Sequence, residues 1–284
     1  MLTSSLPAPG FLVFEFWMAI GVAVTGWWFF TGLILWSVHL PKPLHSRVFG
    51  LATLIFLMAL AITPSVSALE SVTGTVMSFT LAIVLWGWLE LGYLMNIIAG
   101  MHKEPCPANV DLAERIRRGL GTCIYHELGV VLTGALIFVL ADGGGMSVMF
   151  WTYATLWAMR WSAKLNLVLG VRNYNRDWLP DDLQYIDSYI QRRSMNPLFP
   201  LSLGVATFVA AWVFYLSLGA SAIGTQIGLT LVATLLALGA LEHVFLMLPL
   251  REGRLWGWAA PEEHCEASLA TTTAPGVVVA GKPR

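Results

Sequence analysis

The sequence predicts an all-α polytopic membrane protein with seven transmembrane helices, a periplasmic N-terminus and a cytoplasmic C-terminus. Three observations support this fold class. The 284-residue chain is 57% hydrophobic and only 12% charged, whereas soluble domains carry about 25% charged residues. Apolar stretches of about 20 residues, the length that spans a bilayer, recur along nearly the whole chain. The basic residues lie on alternate connections between these stretches.

Seven stretches have the length and apolar character of a spanning helix, and turn or charge signals separate them. They cover Phe11–Leu40, Phe49–Leu69, Thr73–Gly100, Gly119–Ala141, Met146–Val171, Leu198–Leu218 and Thr225–Leu250. Residues 1–10 are predicted to be periplasmic and residues 11–250 to form one seven-helix membrane domain. Residues 251–284 are predicted to form a largely disordered cytoplasmic tail, because their Ala/Thr/Val/Gly-rich end shows no periodicity.

The orientation follows from the basic residues. Of the 16 Lys and Arg residues, Arg160 and Lys164 lie inside the fifth stretch. The other fourteen lie after the first, third and fifth stretches or in the C-terminal tail. The N-terminus and the even-numbered connections hold none, so the positive-inside rule makes the basic side cytoplasmic. An odd number of spans is required to reproduce this pattern.

The longest internal connection is predicted to contain a short helix at the cytoplasmic surface, near residues 180–193. Pro180 suits a first helical turn, and acidic residues at the start and basic residues at the end complement the helix dipole. Its apolar positions recur at helical spacing, and they are Leu179, Leu183, Ile186 and Ile190. We expect this helix to lie in the headgroup region; a surface for a partner protein is the alternative.

Ionisable residues inside the stretches are the candidate site residues, because each costs roughly 2.5–3.5 kcal/mol at the centre of a spanning helix. Except for Glu15, which is near the outer end of the first stretch, the predicted topology places them in the cytoplasmic half of the bilayer. We expect them to form one polar cavity that faces the cytoplasm. Its predicted residues are Glu90, Glu127, Arg160, Lys164, Asn166 and Glu242.

Two interpretations of this set are open. In the first, the carboxylates neutralise Arg160 and Lys164 and hold the helices in register. In the second, the set binds an anionic or tetrapyrrole-like ligand. A histidine in a membrane helix can ligate the metal of a tetrapyrrole, so His126 and His243 are candidate cofactor ligands together with Trp157. The default expectation for each histidine is a hydrogen-bonded core side chain.

Several function classes are not indicated. The sequence contains no P-loop, nucleophile elbow, dinucleotide fingerprint or acidic metal cluster, and we predict no catalytic and no metal-ligating residues. The net charge of −1 gives no reason to expect nucleic acid. The absence of an internal repeat weighs against inverted-repeat transporters.

Five strings resemble the PuhE family, the photosynthetic complex assembly proteins of purple bacteria and their aerobic phototrophic relatives. The strings are WGWLELGYLMNIIAG, IYHELGVVL, LWAMRWSAKLNLVLGVRNYN, WLPDDLQYIDSYI and RRSMNPLFPLS. The resemblance covers roughly residues 11–250. It implies a multi-pass protein of the bacterial inner membrane, either cytoplasmic or intracytoplasmic, that is encoded among photosynthesis genes.

The same resemblance implies a role in assembly of the reaction centre and light-harvesting complexes or in bacteriochlorophyll supply. It establishes no cofactor, and bacteriochlorophyll or a precursor is the candidate. Besides the lipid bilayer, the implied partners are photosynthetic complex subunits or pigment-synthesis enzymes. We therefore expect a non-catalytic assembly factor. The alternatives are a membrane enzyme or enzyme subunit of bacteriochlorophyll synthesis and a transporter of a porphyrin or another anion.

Overall fold

The computed structural model describes residues 9–141, 147–174, 179–248 and 255–259. These residues form eight α-helices and one 3₁₀ helix, with one isolated β-bridge between Val171 and Arg192. The α-helices are α1 (Pro9–Val38), α2 (Lys42–Ser67), α3 (Val72–Leu94), α4 (Leu112–Gly121), α5 (Ile124–Leu140), α6 (Val148–Leu169), α7 (Leu198–Leu218) and α8 (Ile223–Phe245). The 3₁₀ helix spans Asp181–Tyr189.

The protein is a multi-pass membrane protein. Five helices, α1, α2, α3, α7 and α8, are long and apolar enough to cross a membrane. The pair α4 and α5 counts as a sixth span when it is taken together, with a bend of 66° at the break. Large apolar side chains cover the outer faces of these helices, for example Leu51 and Leu54 on α2 and Phe208 and Trp212 on α7. Apolar surface of this extent is stable in lipid and unfavourable in water.

The helix α6 is 22 residues long, which corresponds to about 33 Å at 1.5 Å per residue. It is long enough to span a bilayer, but Arg160 and Lys164 reduce its apolar character. Its polar face is directed inward, where it packs against α3, α5 and α8. The two cations therefore lie inside the helix bundle.

Two of the predicted spans have different bounds in the structure. The stretch Thr73–Gly100 is helical only as far as Leu94, because Asn96 adopts a left-handed conformation with φ 56° and turns the chain. Asparagine tolerates this conformation better than most residues. The stretch Gly119–Ala141 begins inside the separate helix α4, which ends at Gly121, and α5 starts at Ile124. The N-terminus of α4 is capped by Asp111 through a 2.7 Å hydrogen bond from the Glu114 amide.

The most buried helices are α3 and α8, and the core lies around them. Between α1, α3 and α8 the core contains Ala19, Phe79 and Leu231. A second part of the core packs α3 against α2, α5 and α6. Its residue Tyr153 is buried and donates a 2.9 Å hydrogen bond from its hydroxyl to the Val130 carbonyl oxygen.

The predicted surface helix near residues 180–193 is instead a 3₁₀ helix, and its apolar side packs onto the protein. Leu183 is fully buried in a cluster with Tyr93, Ala99 and Cys123. At the start of the 3₁₀ helix, the Asp182 carboxylate forms a 2.8 Å ion pair with Lys42 at the beginning of α2. The expectation that its apolar side lies in the headgroups was therefore wrong for Leu183, because this side chain fills a gap at the end of the bundle.

Part of the predicted C-terminal tail packs against α1. The indole of Trp256 donates a 2.9 Å hydrogen bond to the Trp28 carbonyl oxygen, and the indole of Trp28 donates a 2.7 Å bond to the Leu255 carbonyl oxygen. A Cβ atom at Gly32 would overlap the ring of Trp258. Glycine is therefore required for this close approach. Residues 249–254 and 260–284 lie outside the described residues.

Candidate functional site

A cavity of about 500 Å³ lies inside the bundle, between α1, α3, α6 and α8. Its wall is mainly apolar and contains several aromatic side chains. The helix α4, the 3₁₀ helix and Trp256 also contribute to the wall. A cavity of this volume and character is typical of small-molecule sites, which measure roughly 300–1,000 Å³. We call it the central cavity.

Four of the six residues predicted for a polar cavity line the central cavity: Glu90, Arg160, Lys164 and Glu242. They come from three helices, α3, α6 and α8. The cavity therefore brings together charged residues that are far apart in the sequence. The other two, Glu127 and Asn166, are not part of its wall and lie in adjacent polar networks.

Glu90 and Arg160 form an ion pair between α3 and α6. The Arg160 Nη2 atom lies 2.9 Å from Glu90 Oε2, and Glu90 is almost completely buried. The Arg160 side chain retains 38% exposure, and it lines the central cavity. The pair thus joins two helices and presents one side of a neutralised guanidinium to the cavity.

Glu127 on α5 is held by three donors from α6. Lys164 Nζ lies 2.6 Å from Glu127 Oε1, and the indoles of Trp157 and Trp161 donate to Oε2 at 3.2 and 2.7 Å. Lys164 Nζ also lies 5.2 Å from the centre of the Tyr93 ring, within range of a cation–π contact. Trp157 was predicted as a cofactor residue, but it does not line the central cavity and instead orients Glu127.

Glu242 differs from the other two carboxylates. Its Oε1 accepts a 2.6 Å hydrogen bond from the Trp27 indole on α1. Across the described residues, no Lys or Arg nitrogen lies within 4 Å of it. The side chain is exposed, and it lines the central cavity together with Leu235 and Gly239 of the same helix face. Glu242 is therefore a carboxylate in the cavity wall that has no cationic partner among the described residues.

The two candidate histidines have different environments. His243 is buried with both ring nitrogens in use, since Nδ1 lies 2.8 Å from the Gly239 carbonyl oxygen and Nε2 lies 2.8 Å from Ser162 Oγ. His126 is fully buried between Trp86 and Tyr93, and its ring nitrogens have no hydrogen-bond partner. Neither histidine lines the central cavity, so neither is placed to ligate a molecule inside it.

Asn166 belongs to a network that joins α6 to the start of α7. Its Nδ2 donates to the Ser162 carbonyl oxygen at 2.9 Å and to Ser202 Oγ at 3.0 Å, and its Oδ1 accepts from Asn196 Nδ2 at 3.1 Å. Asn196 in turn accepts a hydrogen bond from the Phe199 amide at 3.0 Å and so caps α7. Asn166 therefore has a structural position outside the central cavity.

Sequence reasoning missed several residues of the site. Trp27 and Trp256 line the central cavity and contact each other edge to face at 5.3 Å. From the sequence, Trp27 looked like one of the aromatic residues that are common near span ends. Trp256 lies in the predicted tail. Tyr189 of the 3₁₀ helix also lines the cavity and donates a 3.0 Å hydrogen bond to the Glu104 carbonyl oxygen. Burial raises the pKa of Tyr189, so its hydroxyl stays protonated and remains a donor.

Arg160 and Lys164 both form ion pairs beside the central cavity. In the part of the chain that the structure describes, no group of three His, Cys, Asp or Glu side chains is placed to hold a metal ion. The ion pairs expected from the first interpretation of the charged set are present for Glu90 and Glu127. Among the described residues, the two cations that line the central cavity, Arg160 and Lys164, are both neutralised in this way.

Comparisons with known proteins place the chain in a family. Residues 13–267 match the family described as "Protein of unknown function (DUF3623)". A relative from Rhodobacter capsulatus is 36% identical over 271 residues, which is 94% of this chain and 98% of the relative. It is described as an uncharacterized 30.4 kDa protein in the puhA 5′ region. No solved structure gives a significant match. With a family match over most of its length, this chain belongs to the DUF3623 family.

Proposed function

We propose that this protein is a non-catalytic assembly factor for the bacterial photosynthetic apparatus. It acts in assembly of the reaction centre and light-harvesting complexes or in bacteriochlorophyll supply. The observation that carries this proposal is the full-length relative in the puhA 5′ region of Rhodobacter capsulatus. That gene position agrees with the photosynthesis-gene context that the five strings imply.

The central cavity supports a role in pigment handling. We propose that it binds an uncharged tetrapyrrole, either bacteriochlorophyll or a precursor. Its apolar and aromatic wall suits a flat ring, and the neutralised cations give no advantage to an anion. The wall does not fit ligation of the ring's metal by histidine, because His126 and His243 do not reach the cavity. The chain would hold such a ring by packing against Trp86 and Trp161 and by hydrogen bonding to Glu242.

We further propose seven spans in the bacterial inner membrane, with the C-terminus in the cytoplasm. The basic connections meet at one end of the bundle, which supports this arrangement. The start of α2 contacts the 3₁₀ helix through Lys42, and Arg115 of α4 donates a 2.9 Å hydrogen bond to the Ser188 carbonyl oxygen. At the same end, Asn173 donates to the Leu248 carbonyl oxygen after α8 at 2.8 Å.

Complementation of a deletion strain tests the function and the role of the cavity together. Deleting the gene in its phototrophic host is expected to lower the absorption of the reaction centre and the antenna complexes, and the wild-type gene restores it. Ala163→Trp fills the central cavity, because Ala163 lines it. We expect this variant to accumulate in the membrane without restoring absorption. Wild-type protein purified from the host carries a tetrapyrrole spectrum, and the variant lacks it.

The matched control is Gly50→Trp. Gly50 lies on a helix with no atom within 4 Å of a Cβ added to it, so the new side chain points into open space and complementation is retained. Normal reaction-centre and antenna levels in the deletion strain would refute the assembly function. Full complementation by Ala163→Trp would refute the role of the cavity.

A further inference from the structure

A second cavity of about 550 Å³ lies at the end of the bundle that carries the basic connections, and three arginines line it. Arg115 comes from α4, and Arg192 and Arg193 follow the 3₁₀ helix. We call this the arginine pocket. It shares the wall residue Ile190 with the central cavity, but it contains none of the charged residues that line that cavity.

The arginine pocket is built by backbone pairing. Residues 191–193 pair with the end of α6, since the Val171 amide donates to the Gln191 carbonyl oxygen at 3.0 Å and the Arg193 amide donates to the Val171 carbonyl oxygen at 3.1 Å. Gly170 has φ 119°, and a Cβ there would lie 2.7 Å from Arg193 Cγ. Only glycine permits both this backbone conformation and the close packing of the arginine stem.

The charge of the arginine pocket is not neutralised by the described protein. None of the described Asp and Glu oxygens lies within 4 Å of Arg115, Arg192 or Arg193. The adjacent Arg117 and Arg118 differ, because both are paired with Glu114, at 2.7 and 2.6 Å. Guanidinium groups bind phosphate oxygens in a bidentate geometry. Arg115 donates one hydrogen bond to the Ser188 carbonyl oxygen, but none of the three arginines has a carboxylate partner among the described residues, and this favours a phosphate group.

We propose that the arginine pocket binds the phosphate of an anionic phospholipid. Apolar side chains line the same pocket, and they are Val110, Leu112, Leu169 and Ile190. Leu169 is the last residue of α6, so the pocket lies at the end of a membrane-embedded helix. A phospholipid fits both the charged and the apolar part of this wall. Its phosphate binds the arginines, and its acyl chains contact the leucines and the helix surface.

Binding of phosphatidylglycerol to the full-length protein in detergent tests this proposal. A fluorescent phosphatidylglycerol is titrated, with fluorescent phosphatidylcholine as the neutral lipid. We expect the wild-type protein to prefer phosphatidylglycerol. The double variant Arg192→Gln/Arg193→Gln should bind it roughly tenfold more weakly, since each basic residue near an anionic headgroup adds to affinity. The matched control is Arg117→Gln on α4, which should keep wild-type affinity.

Three results would overturn the proposal. They are equal binding of the two lipids, an equal loss of affinity in Arg117→Gln, and complete competition by inorganic phosphate at a concentration equal to that of the lipid. The last result would indicate a free phosphate ligand. If the double variant does not fold, the salt dependence of wild-type binding decides. A charged site weakens between 0.05 and 0.5 M salt, as expected from screening, whereas unchanged binding contradicts it. None of these readouts depends on photosynthesis or pigment.

Discussion

Glu127 shows how this membrane protein carries buried charge. The carboxylate lies inside the bundle and accepts hydrogen bonds from Lys164, Trp157 and Trp161, all on α6. A buried charge costs several kcal/mol unless it is paired and hydrogen-bonded. Each member of the Glu127–Lys164 pair therefore stabilises the fold mainly by neutralising the charge of the other.

This dependence leads to a prediction for Lys164→Met. The substitution leaves Glu127 without its counter-charge, and breaking a buried pair costs about 3–5 kcal/mol. The expected result is a clearly lower thermal unfolding temperature of the detergent-solubilised protein. The double variant Lys164→Met/Glu127→Met should recover part of the loss, because no unpaired charge remains.

The control for this prediction is Arg117→Met. Arg117 pairs with Glu114 on the surface, and its side chain is 68% exposed. The change in unfolding temperature should be small, because solvent screens an exposed pair. If Lys164→Met were no more harmful than Arg117→Met, the buried pair would not be the stabilising contact that its 2.6 Å distance indicates.

At the scale of elements, residues 255–259 form a short segment that packs on α1 and contributes to the wall of the central cavity. Trp256 is almost completely buried and lines the cavity, and its contacts with α1 depend on the absence of a side chain at Gly32. The contacts include reciprocal hydrogen bonds between this segment and Trp28. The segment is thus positioned to limit access to the cavity from the side of α1.

Gly32→Val should displace this segment and open the central cavity. Cys123 lines the cavity and is a free, buried thiol, so its rate of reaction with a small methanethiosulfonate reagent reports access. With Cys106 and Cys265 replaced by Ser, we expect labelling of Cys123 to accelerate several-fold in Gly32→Val. The control is Gly21→Val on the same helix, where a Cβ meets nothing within 4 Å. Equal labelling rates in the two variants would contradict this role of the segment.

At the scale of the whole molecule, the start of α2 and the C-terminal ends of α3 and α6 meet on one side of the bundle, where they contact residues 181–193. On that side α4 and the 3₁₀ helix line the central cavity. The arginine pocket opens beside them. Both candidate sites therefore lie toward the end that the positive-inside rule assigns to the cytoplasm.

This orientation predicts the outcome of reporter fusions. Alkaline phosphatase, which is active only in the periplasm, should be active when fused at Ala220 between α7 and α8. It should be inactive at Lys103 between α3 and α4, and after the C-terminal Arg284. A green fluorescent protein fused at the same three positions should show the opposite pattern. Phosphatase activity at Arg284 would show that the orientation is reversed or that the number of spans is even.

The sequence by itself was sufficient to place the most apolar helices. The predicted stretch Leu198–Leu218 has the same bounds as α7, because a long apolar run is a local property of the chain and the bilayer selects a helix for it. It was not sufficient where a local turn competes with hydrophobicity. At Asn96 a left-handed residue ends α3, and at Asp111 a cap begins a separate helix.

For the candidate site, the sequence determined which residues carry charge inside the spans, since each such residue conflicts with its apolar surroundings. Only the tertiary structure decided their partners. Glu90 pairs with Arg160 across 70 positions, and Glu242 accepts a hydrogen bond from Trp27 across 215 positions. The same holds for His126 and His243, which look alike in sequence and differ in hydrogen bonding. Partners of this kind depend on how helices rotate and pack against one another, and hydropathy along the chain carries no information about that packing.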